Sequence, residues 1–91
     1  MFRLNFTGAF KQDVKRIKKR NYETVLLSDI LLILETDGNV PLKNNPHRLT
    51  GKDSDCWECD IKPDWLLIWL KNEQQNIIEL VRTGSHADLF K

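Results

Sequence analysis

The chain predicts an α+β fold in which two N-terminal helices pack on a small antiparallel sheet, in the order β-α-α-β-β-β. Three observations point there. Apolar residues alternate at residues 2–6, recur at helical spacing through the following thirty, and alternate again beyond residue 56. At 91 residues the chain has room for one core, so residues 1–91 are read as a single domain.

Each element has its own warrant. Phe2, Leu4 and Phe6 share one face of a short strand. Thr7 is placed to cap a helix on which Phe10, Val14 and Ile17 fall at i, i+4 and i+7, with Lys11, Lys15, Lys18 and Lys19 on the outside. Asn21 reads as the N-cap of a second helix with Glu23 in its first turn, and Val25 to Leu34 is so apolar that this helix is the expected central packing element. Asp37-Gly38-Asn39 ends it, and Val40 to Asn45, flanked by prolines, reads as loop. Trp57, Cys59 and Ile61 alternate with Glu58, Asp60 and Lys62 as in a half-buried strand. Trp65 to Leu70 is apolar on both faces, as a central strand should be. Ile77 to Thr83 forms the last strand, Gly84 breaks it, and the remaining residues have the length of a helical turn.

Hydrophobic residues make up 41% and charged residues 30%, an ordinary soluble balance. Apolar runs stop well short of the roughly 20 residues of a membrane helix, and the N-terminus lacks the basic-then-apolar block of a secretory signal, so a cytoplasmic protein without membrane contact is expected. The net charge of +1 hides an asymmetry: residues 1–20 carry +6 and the remainder −5. The helix from Lys11 to Arg20 therefore suits RNA phosphates or an acidic partner, or is simply a solvated face. Cys56-Trp57-Glu58-Cys59 is nominally a C-x-x-C, but residues three apart in a strand point to opposite faces, which opposes a redox pair. A structural zinc would need two more ligands, and His47 and His86 stand at no familiar spacing, so no metal or other cofactor is expected.

Two groups of residues have the chemistry for a site. Glu58 and Asp60 share one strand face, about 6.6 Å apart, opposite the apolar face, and Asp64 follows in the turn. Three acids at one strand end suit general acid/base work, although exposed strand faces carry such charges routinely. Past the glycine that ends the last strand stands His86, with Arg82 before it and Phe90 behind. A histidine moves protons near neutral pH, an arginine fork takes a phosphate, and an aromatic ring stacks on a base. RNA cleavage needs those parts. The same residues also fit an ordinary tail, with Leu89 and Phe90 packed on the sheet. His47, in the loop before Leu49-Thr50-Gly51, and Lys52 and Lys62 complete the set that RNA could meet.

Three segments together resemble a family. His47-Arg48-Leu49-Thr50-Gly51, Asp60-Ile61-Lys62-Pro63-Asp64-Trp65 and Arg82-Thr83-Gly84-Ser85-His86-Ala87-Asp88-Leu89-Phe90 are similar, in order and spacing, to the YafQ branch of the RelE toxins. The resemblance implies a RelE-like microbial-ribonuclease fold. It implies a toxin of a type II toxin–antitoxin system that cleaves messenger RNA in the A site of the 70S ribosome, without a metal, and is held by a cognate antitoxin in a hetero-oligomer. Carried over by position, His86 is the principal catalytic histidine and general acid, and Arg82 is the transition-state cation. Asp64 is the aspartate after proline, His47 the loop histidine, Glu58 the strand acid and Phe90 the C-terminal aromatic; Lys52 and Lys62 remain RNA contacts. Asp60 departs from the pattern, because the family usually carries a histidine there. A weakened nuclease, or a gyrase-inhibiting toxin of the ParE kind on the same fold, are the alternatives that the resemblance leaves.

Overall fold

The computed structural model describes residues 1–50 and 55–90, so Gly51 and Lys52 lie outside the described residues. Strand β1 (Arg3–Phe6) leads through Thr7 into helix α1 (Gly8–Lys19). Thr7 caps as expected. Its hydroxyl accepts the Phe10 N–H at 3.2 Å and donates to the Leu80 carbonyl at 2.8 Å, so the cap also ties the helix start to the sheet. Phe10 and Ile17 are buried, Val14 packs beside them, and Lys11, Lys15, Lys18 and Lys19 are exposed. The helix buries one further residue, the acid Asp13.

Asn21 does not cap the second helix. It turns the chain in the left-handed region, at φ 61°, which asparagine tolerates better than most residues. Helix α2 (Thr24–Asp37) starts after Glu23, whose side chain makes no cap bond and pairs with Lys62 Nζ at 2.9 Å. Leu27, Ile30 and Leu34 point inward, whereas Val25 and Leu32 are 60% and 61% exposed. An almost wholly apolar helix thus buries only one of its faces. It ends at Gly38, at φ 76°, with the Gly38 N–H on the Leu34 carbonyl at 2.8 Å; a β-carbon there would run into the Phe2 ring. The loop expected next contains a 3₁₀ turn at Leu42–Asn44 and a two-residue strand, β2 (His47–Arg48).

Strands β3 (Cys56–Lys62), β4 (Trp65–Asn72) and β5 (Ile77–Gly84) follow, and a short helix α3 (His86–Leu89) closes the described chain. The five strands lie in the order β1-β5-β4-β3-β2. The sheet is mixed, not purely antiparallel, because β1 pairs with β5 in parallel, Arg3 beside Ile77 and Phe6 beside Leu80. A tight hairpin would force antiparallel pairing; β1 is joined to β5 only through both helices and the other strands, so its direction is free. Trp65 to Trp69 are all buried, as a central strand requires. The core under the helices gathers Phe10, Ile17, Leu27, Ile30 and Leu34 against Cys59, Trp65, Leu67, Trp69, Ile78 and Leu80. Cys59 is a free thiol; burial and the nearby Asp60 and Glu58 push it up to about 12, so it is a core residue and not a reactive one. Among the described residues no helix is long and apolar enough to cross a membrane.

Candidate active site

Two irregularities in strand pairing set the site. β4 pairs Ile68 with Arg82 but Trp69 with Leu80, which leaves Val81 as an extra residue. Strict alternation would carry Arg82 to the same face as the buried Ile78 and Leu80. The bulge reverses the parity, so Thr83 enters the core and Arg82 comes into line with Ile68 and, across β4, Glu58. His47 of β2 pairs with Glu58 at the end of this row. Glu58 and Arg82 are therefore two strand spacings, about 10 Å, apart on the sheet face away from the helices. A second register shift, at Ile61, closes β3 and delivers Lys62-Pro63-Asp64 as the turn into β4.

Thr83 locks the end of β5. Its hydroxyl donates to the Leu66 carbonyl at 2.7 Å and accepts the Trp65 indole N–H at 2.9 Å. Gly84 follows at φ 150°, and a β-carbon there would stand 3.0 Å from Asp88 Oδ2. Ser85 and Asp88 then form a capping box that starts α3: Asp88 N–H donates to Ser85 Oγ, and Ser85 N–H to the Asp88 carboxylate. Arg20, at the end of α1, grips the same carboxylate through two nitrogens at 2.7 and 3.1 Å. The guanidinium holds Asp88 well below the usual carboxylate range, at about 2.

His86 is thereby presented from a braced helix start. Its Nδ1–H donates to Asp64 Oδ1 at 2.7 Å, and its backbone N–H donates to the same oxygen at 3.1 Å. A carboxylate only accepts, so Nδ1 carries the proton and Nε2 is the ring atom left for a substrate. Asp64 raises the His86 pKa, chiefly through this bond, and Glu58 and Asp60 add to the rise through their charges; His86 in turn lowers Asp64. The Phe90 ring, 48% exposed, lies 6.4 Å from the imidazole. Arg82 is held by Asp13 through Nε at 2.6 Å and Nη2 at 3.1 Å, which raises its pKa further.

The three expected acids are not equivalent. Asp64 is exposed and engaged with His86. Glu58 is not on an open face: it is 6% exposed, with Oε1 3.0 Å from His47 Nε2 and Oε2 without a hydrogen-bond partner among the described residues. The His47 ring is oriented from the other side by the Asn45 carbonyl, 2.9 Å from Nδ1. Asp60 is half-buried, and its carboxylate has no hydrogen bond or ion pair among the described residues, although its backbone carbonyl accepts from Asn44. Lys62 is engaged with Glu23 in an exposed pair, not free. Among the described residues no three His, Cys, Asp or Glu side chains are arranged to hold a metal ion.

Asp13, Arg20 and Asp88 brace this site and were not singled out in the sequence. Ser85-x-x-Asp88 does match the capping-box pattern and is a legible signal for α3. Beyond the i, i+3 pair of Asp13 with Arg16, nothing local marks Asp13 or Arg20, because their partners Arg82 and Asp88 lie 69 and 68 residues away.

Residues 2–91 match the model of the bacterial toxin of type II toxin–antitoxin systems, YafQ. The chain is 27% identical over 88 residues to the mRNA interferase toxin YafQ of Escherichia coli, covering 96% of this chain and 94% of that one. It is also similar to two solved structures. A metal-bound toxin from Helicobacter pylori is 34% identical over 99% of this chain and 100% of its own, with a TM-score of 0.89. YafQ in the DinJ–YafQ toxin–antitoxin complex of E. coli is 26% identical over 99% of this chain and 98% of its own, also at 0.89. Matched along almost its whole length in sequence and in fold, the chain belongs to the YafQ family of bacterial type II toxin–antitoxin toxins.

Proposed function

We propose that the protein is an mRNA interferase, a cytoplasmic endoribonuclease that cuts messenger RNA on the 70S ribosome by metal-independent acid/base chemistry. The observation that carries this reading is the His86–Asp64 pair at the start of α3, beside Arg82 and Phe90. Asp64 fixes the Nδ1–H tautomer and favours the imidazolium, so His86 arrives with a proton on Nε2 for the departing 5′-oxygen. Asp60, with no partner for its carboxylate among the described residues, takes the proton of the 2′-hydroxyl. The 2′-oxygen then attacks phosphorus, the bond to the 5′-oxygen breaks, and His86 protonates the leaving group. Arg82 balances the charge that grows on the phosphoryl oxygens, and Phe90 offers a stacking face for a base. His47 and Glu58 form the far wall of the row, and Lys62 and Lys52 are kept as candidate RNA contacts by residue type. Inducing the wild type and His86→Ala in bacteria and mapping messenger-RNA 5′ ends tests the proposal. Growth arrest with new ends is expected from the wild type only, and arrest that persists in the variant without new ends would overturn it.

The partner reading rests on family membership and on charge. A groove of about 560 Å³ between α1 and α2 has Phe10, Val14, Leu27 and Leu31 among its lining and Lys11, Lys15 and Lys18 along one side. Among the described residues no acidic side chain lines it. An acidic, amphipathic segment of the cognate antitoxin fits that combination of apolar floor and positive rim.

A further inference from the structure

The basic helix α1 contains one acid, Asp13, and it is among the most buried side chains of the molecule, at 1% exposure. Its two oxygens collect four donors. Oδ2 accepts from Arg82 Nε at 2.6 Å and from the Thr83 backbone N–H at 3.1 Å; Oδ1 accepts from Arg82 Nη2 at 3.1 Å and from Arg16 Nη1 at 3.0 Å. The position explains why a carboxylate is tolerated there. β1 leaves β5 after Phe6 beside Leu80, so the Thr83 amide has no strand on its β1 side, and Asp13 supplies its acceptor. A buried pair of this kind is weak evidence for stability, since well-packed apolar residues often serve as well. Its geometry says more.

From this geometry we infer that Asp13 is a positioning residue for Arg82. It takes the Nε–Nη2 edge of the guanidinium and leaves Nη1, which has no partner among the described residues, as the free donor for a phosphoryl oxygen. An arginine on a solvated strand samples many rotamers, and fixing it beforehand removes that entropy from the reaction step. Because Oδ2 holds both the guanidinium and the backbone of Thr83, one carboxylate sets where the cation stands relative to His86, four residues beyond Arg82. Arg16 supplies a second cation at Asp13 Oδ1, so the buried carboxylate faces two guanidinium groups.

The inference rests on Arg82 being the transition-state cation, and the experiment separates the two. Cleavage of messenger RNA on purified ribosomes is measured for the wild type, Arg82→Ala, Asp13→Asn, Asp13→Glu and the Asp13→Asn/Arg82→Ala double variant, with circular dichroism as the check of folding. Asp13→Asn is expected to lower kcat by about tenfold to a hundredfold, the scale of a small misplacement of a catalytic group, with KM changed far less. In the Arg82→Ala background it is expected to have no further effect. Asp13→Glu, which keeps the charge and moves it by one methylene, is expected to lose kcat as well, and it carries the test if Asp13→Asn does not fold. Wild-type kcat in a folded Asp13 variant, or a loss that adds in full to that of Arg82→Ala, overturns the inference alone. Wild-type activity in Arg82→Ala overturns the assignment of Arg82 and the inference with it.

Discussion

Asp64 has two effects on His86, and a pair of substitutions separates them. Its Oδ1 orients the ring and the backbone by two hydrogen bonds, and its charge favours the imidazolium. Asp64→Asn keeps an oxygen that can accept both bonds but removes the charge; Asp64→Ala removes both. The pH dependence follows from the signs. His86 is raised above its ordinary 6.5, so its favourable charge interaction is complete below that value and is lost as pH rises through the raised one. Asp64 is lowered from 3.8, so its share is complete above that value and is lost as pH falls through the lowered one. The pair is fully charged between 3.8 and 6.5, and above 6.5 it keeps more of its charge than an ordinary imidazole would. Without the carboxylate, an imidazole of ordinary pKa is only roughly one-tenth protonated at pH 7.5. Asp64→Asn should therefore lose up to about tenfold in kcat/KM at pH 7.5 and approach the wild type at pH 5.5, as the alkaline limb moves to lower pH. Asp64→Ala should lose activity at every pH, toward the about 10² to 10⁴ that a positioned acid contributes. Ribosome cleavage measured from pH 5.5 to 9 reads both. An alkaline limb that stays in place in Asp64→Asn, while His86→Ala is inactive, refutes the claim that Asp64 tunes the acid.

Three further outcomes follow from contacts around the site. Thr83→Val keeps the shape but removes the acceptor of the Trp65 indole N–H in the core and one donor to the Leu66 carbonyl, so thermal denaturation should show a loss of about 1–3 kcal/mol for the indole N–H left unsatisfied. Arg20→Ala frees α3 from α1 at an exposed ion pair; kcat should fall with little change in Tm, and equal loss of both would show that the bond merely holds the fold. Changing Lys11, Lys15 and Lys18 together to Glu should weaken binding of the cognate antitoxin at low salt, read by calorimetry, while an unchanged affinity would place the antitoxin elsewhere.

Much of the fold was legible because local signals carried it: the Thr7 cap, the glycine stop at Gly38 and the two-faced apolar run of β4 all read correctly. The misreadings share a physical cause. Asn21 has the side chain of an N-cap, but the turn between the helices needs a left-handed residue there, and asparagine satisfies either role. The direction of β1 depends on a partner more than seventy residues away. Glu58 lies on the face away from the helices, as its alternation predicts, yet it is buried because His47 pairs across it, and a two-residue strand leaves almost no periodic trace. Arg82 shows the limit most clearly. Period two carries it into the core with Ile78 and Leu80, and only the unpaired Val81 turns it outward.

Asp60 gains a meaning from the site that the sequence alone withholds. A carboxylate where the resemblance expects histidine adds negative charge close to a phosphate path, which taken alone weakens RNA binding. Around this row, however, charge also acts on the acid. Asp60 and Glu58 both raise His86, in the same direction as Asp64, so the carboxylate keeps the proton donor charged to higher pH while it burdens the phosphate. The burden falls on Arg82, whose orientation is fixed by Asp13 and whose positive charge is secured by it. On this reasoning, the departure at position 60 makes the chain lean harder on its clamped arginine than a relative with histidine there: an arginine that is braced, and not merely present, offsets the extra carboxylate.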